Sequence, residues 1–211
     1  MLDISNKKCI IIGGGKVAYR KAFSLLEYGA EVAIISNILC DELAELVSQN
    51  KVEWISRDYK QGDLKGAFLA FAATNNKDIN HKIFEEAQRA NISINIIDNI
   101  NLCDLIIPSK MTEGDLTIAI STNGKSPALA KKIRENIQGT YGKGYAGFID
   151  LLGKYRIEAM EEIDNIDLRK NLYLELVNSD IIDYLINGRT ELAEAKFNEI
   201  YDNYKIRGIK V

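Results

Sequence analysis

Several residues in this 211-residue chain have types and spacings that bear on chemistry. Gly13-Gly14-Gly15, followed by Lys16, Val17 and Ala18, matches the pattern G-x-G-x-x-A. Such a turn opens a helix, and its backbone N–H groups can approach a pyrophosphate favoured by the helix dipole. Ser121-Thr122-Asn123-Gly124-Lys125 stands just before Ser126-Pro127 and offers hydroxyls, an amide, a cation and a backbone able to take positive φ at a second helix start. Between these segments Asp98 directly follows the apolar run Ser93–Ile97, a position from which a carboxylate can act as a general base. One anion-holding turn suggests a nucleotide; two suggest a nucleotide and a second charged ligand. Each feature also has a plainer reading: a tight turn without a ligand, a capped helix, and an Asp98-Asn99 turn.

The dinucleotide fingerprint normally places Asp or Glu about 20 residues further on, where it binds the ribose 2′-OH. Here the end of the second strand reads Ser36-Asn37-Ile38, and no Arg or Lys occurs from Ser36 to Cys40 to hold a 2′-phosphate. NAD is therefore expected over NADP. Gly124-Lys125-Ser126 resembles the end of a P-loop, but Ala119 occupies the place of its first glycine and Pro127 removes an N–H from the would-be cradle.

The elements that must carry these residues alternate. Strands are expected near Lys8–Ile12, Glu31–Ile35, Val52–Ile55, Ala67–Phe71 and Ser93–Ile97, and helices near Val17–Tyr28, Asp41–Ser48 and Asp78–Ala90. Near-continuous apolar strands separated by helices predict an α/β fold with a Rossmann-like parallel sheet covered on both faces. After Ile97 the pattern changes. Leu105–Ser109 and Leu116–Ser121, joined through Thr112-Glu113-Gly114-Asp115, read as a hairpin, followed by a helix from about Ser126 to Ile137. Gly139 to Gly144 is linker-like, and beyond it apolar residues such as Ile149, Leu152, Ile157 and Met160 recur at helical spacing, giving an all-α end of three or four helices.

Hydrophobic residues make up 46% of the chain and charged residues 27%, the balance of a globular protein. No apolar run reaches the ~18 residues needed to span a bilayer, and the N-terminus carries no secretory pattern, so no membrane partner and a cytoplasmic location are expected. A formal net charge of −3 argues against nucleic acid. Lys125, Lys131, Lys132, Arg134 and Lys143 nonetheless form a basic run interrupted by Glu135 alone. The cysteines, Cys9, Cys40 and Cys103, are too widely spaced for a zinc knuckle. His81, the sole histidine, lies off the apolar positions Ile79, Ile83, Phe84 and Ala87 of its helix, so no histidine-based metal site is expected. Cys103 lies five residues beyond Asp98, and its spacing alone assigns it no role.

Together, Ile12-Gly13-Gly14-Gly15-Lys16-Val17-Ala18-Tyr19-Arg20-Lys21, Ala72-Ala73-Thr74-Asn75, Asn95-Ile96-Ile97-Asp98, Ile107-Pro108-Ser109 and Ala119 to Ala130 resemble the precorrin-2 dehydrogenases, including those that double as sirohydrochlorin ferrochelatases. The resemblance implies an NAD-binding Rossmann domain over residues 1–112, a dimerisation segment over 113–142 and a helical C-terminal domain over 143–211, working as a homodimer. It implies NAD held by Gly13, Gly14, Gly15, Lys16 and Val17, with Asn37, Ile38 and Thr74 close by, and Asp98 as the catalytic aspartate. Ser121, Thr122, Asn123, Gly124 and Lys125 would face the tetrapyrrole substrate, whose many carboxylates suit the basic run. Many relatives carry proline and an acidic residue where this chain has Asn37 and Ile38. Fe²⁺ would enter only as a substrate, if chelation occurs. The methyltransferase domain of longer relatives is not expected in a chain of this length. A non-catalytic dinucleotide sensor or tetrapyrrole-binding protein is the alternative from another functional class.

Overall fold

The structure, a computed structural model, describes residues 2–97 and 99–209. It divides into two compact units, residues 1–107 and 108–211.

In the first unit the apolar runs become strands β1 (Lys8–Ile12), β2 (Glu31–Ile35), β3 (Glu53–Ile55), β4 (Leu69–Ala72) and β5 (Ser93–Ile96). They form one parallel sheet in the order β3-β2-β1-β4-β5. Both faces are covered, and the period-2 alternation of side chains decides which residue meets which layer. Cys9, Ile11, Val32, Ile34, Leu69 and Phe71 point into a core with helices α1 (Lys16–Leu26) and α2 (Asp41–Ser48). Ile10, Ile12, Ala33, Ile35, Ala70 and Ala72 point the other way, against α3 (Lys77–Ala90) and the loop residue Leu64. Burial raises the Cys9 thiol to a pKa of about 11, which makes it an inert core residue. Helix α3 is well delimited: the Asn76 side chain accepts from the N–H groups of Asp78 and Ile79, and Asn91 ends it in a left-handed conformation.

Register sets the site. Ile12 pairs with Ile35 and Ala72, Ile35 with Ile55, and Ala72 with Ile96. The carboxyl ends of all five strands are therefore level, and the loops that leave them lie side by side.

The second unit begins with an antiparallel hairpin, β6 (Ser109–Glu113) and β7 (Leu116–Ile120). Its first arm lies later than the expected Leu105–Ser109. Leu105 and Ile107 instead pack against the core of the first unit, while β6, reading Ser-Lys-Met-Thr-Glu, buries Met111. Helix α4 runs Pro127–Tyr141, so Gly139 to Tyr141, expected to be a linker, complete its last turn. Among the described residues four further helices follow: α5 (Tyr145–Glu162), α6 (Ile166–Asn178), α7 (Ile181–Ile186) and α8 (Thr190–Ile209). Their core holds Phe148, Tyr155, Ala159, Leu172, Leu176 and Phe197, with Tyr155 and Phe197 stacked at 4.8 Å. The inward stripe of α5 is Phe148, Leu152, Tyr155 and Ala159, the i, i+4, i+7, i+11 series of one helix face. Ile157 and Met160, expected on that stripe, are 63% and 61% exposed. No helix among the described residues is long and apolar enough to cross a membrane.

Candidate functional site

β1 runs without a break into the glycine turn and then into α1, and the packing of the turn requires a glycine at 13 and at 14. Gly13 has φ +119°, and a Cβ there would lie 2.3 Å from the carbonyl oxygen of Ala73, so both backbone and packing exclude a side chain. At Gly14 a Cβ would lie 1.9 Å from the carbonyl oxygen of Ile38. Hydrogen bonds from Gly13 N to Ile35 O (2.9 Å), Cys40 N to Gly14 O (2.7 Å) and Ala73 N to Ile12 O (2.7 Å) fasten the turn to the ends of β2 and β4.

Gly15 differs from both. Its φ of −86° and ψ of −177° suit any residue, and a Cβ there would meet nothing within 4 Å. Gly15 precedes α1 as its N-cap, and no side chain caps that helix. The protein's own packing therefore does not require a glycine here. The missing side chain leaves an open cradle beside the first N–H groups of α1, which a helix start leaves free for an anion.

This turn forms one wall of a cavity of about 310 Å³ lined by Gly13, Gly14, Gly15, Ser36, Asn37, Ile38, Asp58, Tyr59, Thr74 and Asn75, among others. It lies over the carboxyl ends of the strands, where open α/β sheets bind ligands. Of the residues expected at a dinucleotide, Gly13, Gly14, Gly15, Asn37, Ile38 and Thr74 line it, whereas Lys16 and Val17 occupy the first turn of α1 outside that lining. Ile38 is 78% exposed and offers an apolar surface at the rim. Thr74 is fixed from below: its hydroxyl donates to Asn80 Oδ1 (2.6 Å), and Asn80 Nδ2 donates to the Thr74 carbonyl (3.0 Å).

Asp58 and Tyr59 were not among the expected site residues. They enter from the loop after β3, and two carboxylates hold that loop. Glu86 on α3, which is buried, accepts from the Tyr59 hydroxyl and from the N–H groups of Gly62 (3.0 Å) and Leu64 (2.9 Å). Burial first, and then the Glu86 carboxylate, push the Tyr59 phenol well above its usual pKa. Asp63 takes both Arg57 guanidinium nitrogens, at 2.8 and 2.7 Å, and that pairing holds its carboxyl below the usual range. Asp58 reaches the cleft through the parallel register Ile35↔Ile55. That register brings the residues after 55 beside those after 35, but the fingerprint directs attention to β2 alone.

Asp98, the expected general base, lies outside the described residues. Cys103, half-buried, accepts from Ile96 N at 3.1 Å and is 3.3 Å from the Ile96 carbonyl and 3.2 Å from that of Asn99. The thiol thus anchors the turn that follows β5. Among the described residues no group of three or more His, Cys, Asp or Glu is placed to hold a metal ion. His81 is exposed and pairs with Glu85 at 3.6 Å.

In the second unit Ser126 caps α4, its hydroxyl accepting from Leu129 N at 3.2 Å with Pro127 in the first turn. The preceding loop builds itself. Thr122 Oγ1 accepts from Ser126 N (3.1 Å), Ser121 Oγ accepts from Asn123 N (3.1 Å), and Asn123 and Gly124 take φ of 50° and 75°. Lys125 is exposed. Along α4, Lys131 and Arg134 both pair with Glu135, at 3.8 and 3.5 Å. Lys125 and Lys132 have no acidic partner among the described residues.

A family model described as putative NAD(P)-binding matches residues 1–109, and a second, described as sirohaem biosynthesis protein central, matches residues 113–140. The chain is 33% identical over 202 residues to a siroheme synthase of Vesicomyosocius okutanii and 31% identical over 194 residues to one of Ruthia magnifica, with 96% and 92% of this chain covered. It spans less than half the length of these curated relatives, 43% and 41%. Among solved structures, one described as SirC, precorrin-2 dehydrogenase shares the fold with a TM-score of 0.75 at 22% identity, covering 94% of this chain and 98% of that one. The glycine turn with its open cradle falls within the first matched region, and the hairpin and the start of α4 fall within the second. The chain therefore belongs to the family described as putative NAD(P)-binding, with residues 113–140 matching the sirohaem biosynthesis protein central model.

Proposed function

We propose that this protein oxidises precorrin-2 to sirohydrochlorin. The observation that carries the reading is the cleft over the sheet, where Gly15 leaves room beside an uncapped helix start in a chain that continues into a sirohaem central region. When bound, NAD supplies the acceptor for a hydride. Gly13, Gly14 and Gly15 would hold its pyrophosphate, with Asn37, Ile38 and Thr74 flanking it.

Loss of hydride from the tetrapyrrole must be accompanied by loss of a proton, and Asp98, directly after Ile97 in the chain, is the base proposed to take it. Lys125 and the exposed cations of α4 would draw the substrate's carboxylates to the second unit. The hydroxyls of Ser121 and Thr122, the amide of Asn123 and the main chain at Gly124 would give that surface its hydrogen-bonding groups. In this reading residues 113–142 join two chains into a dimer, and the bundle from 143 onward completes each subunit.

Insertion of Fe²⁺ into sirohydrochlorin displaces two protons from ring nitrogens, and the same aspartate would serve as their acceptor. Assaying wild type and Asp98→Asn for both reactions tests these roles. We expect Asp98→Asn to lose at least about 100-fold in dehydrogenation, the contribution of a positioned base. Full retention of rate in both steps would show that Asp98 is not the base. Metal insertion no faster than the uncatalysed rate would remove the second activity while leaving the first.

A further inference from the structure

The fingerprint acid for the adenosine ribose is absent from the end of β2, yet a carboxylate stands at that place in the folded chain. Asn37, in the loop after β2, donates from Nδ2 to Asp58 Oδ1 at 2.5 Å. Both residues line the cleft, along with Ser36 and Ile38. Asp58 is held at its main chain as well, because Arg57 Nη1 donates to its carbonyl at 3.0 Å while both guanidinium nitrogens grip Asp63. The second carboxylate oxygen of Asp58 has no partner among the described residues. We propose that Asp58, presented by Asn37, is the carboxylate that reads the adenosine ribose and selects the dinucleotide lacking a 2′-phosphate.

The proposal rests on the reading of the cleft as a dinucleotide site. Its chemistry is simple: a carboxylate accepts from ribose hydroxyls in a strong, charge-assisted hydrogen bond, and it repels a phosphate ester on the same oxygen. Among the described residues no lysine or arginine lines the cleft to offset that repulsion. Lys82 and Arg89 line an adjoining cavity that shares Asp58 and Tyr59 as wall residues, and Arg89 pairs with Glu85 at 3.6 Å.

Titrating the full chain with NADH and with NADPH, followed by nicotinamide fluorescence, tests the proposal without requiring turnover. Wild type should bind NADH more tightly. Asp58→Asn should weaken NADH by about tenfold with NADPH unchanged or tighter, so that the ratio of the two Kd values collapses. Asp58→Glu, which keeps the charge, should retain discrimination against NADPH. Because the ratio is read within one preparation, a general loss of fold cannot imitate this result. Wild type that binds neither dinucleotide overturns the reading of the cleft and the proposal with it. Wild type that binds NADH with a ratio unmoved by Asp58→Asn, or that prefers NADPH, overturns the proposal alone.

Discussion

Asn80 and Thr74 hold each other through a reciprocal pair of hydrogen bonds, hydroxyl to amide oxygen at 2.6 Å and amide nitrogen to main-chain carbonyl at 3.0 Å. Thr74 lines the cleft at the carboxyl end of β4, and Asn80, only 7% exposed, supports it from α3. Asn80→Ala leaves the Thr74 carbonyl without its amide donor and the Thr74 hydroxyl with only its bonds to Asn76, at 3.2 Å. Equilibrium denaturation should show a loss of about 1–3 kcal/mol, and NADH titration a weaker Kd. Unchanged stability would mean that the pair contributes nothing.

The three glycines of the turn should respond differently to the same substitution. Gly14→Ala forces a Cβ against the Ile38 carbonyl and should lower the unfolding midpoint markedly. Gly15→Ala meets no atom of the described residues within 4 Å and should keep stability within about 1 kcal/mol, the scale of an N-cap exchange. Its Kd for NADH should nevertheless rise by about tenfold or more, since the methyl group enters the space beside the helix start. Normal binding by a folded Gly15→Ala protein would show that the cradle holds no ligand.

Arg57 and Asp63 link stability to pH. The pairing with Arg57 lowers the Asp63 pKa in the folded state, so its contribution is fully present above the ordinary aspartate value of about 3.9. It is lost as pH falls below that value and through the lower folded one. Urea denaturation should find Asp63→Asn less stable than wild type at neutral pH, with the difference closing in the acid range. A difference independent of pH would indicate that the carboxylate's charge plays no part.

Lys125→Ala tests the separation of the two ligand segments. Removal of one exposed cation should weaken tetrapyrrole binding by roughly threefold, the scale of a single exposed ion pair, and leave NADH binding unchanged. Equal losses for both ligands would count against two separate sites.

The parts of this molecule that were legible in its sequence are those where burial is two-sided or a cap is local. β1 and β2 are fully predicted because runs such as Cys9–Ile12 are apolar on both faces, and α4 begins at Pro127 because Ser126 and Pro127 specify a start on their own. β6 is not legible in the sequence because its side chains are mostly polar, while the more apolar Leu105 and Ile107 before it serve core packing. On α5, residues such as Ile157 and Met160 satisfy a helical spacing without facing the bundle's core. Asp58 and Asn80 were invisible for a different reason. Their places in the cleft come from strand register and from a contact between α3 and the end of β4, which local patterns do not encode.

The proposed activity is the oxidation of precorrin-2 to sirohydrochlorin. Anaerobic incubation of the folded protein with precorrin-2 and NAD measures it most directly. Sirohydrochlorin and NADH should form in equal amounts, at a rate that depends on protein concentration; folded protein that yields neither product would contradict the proposed function.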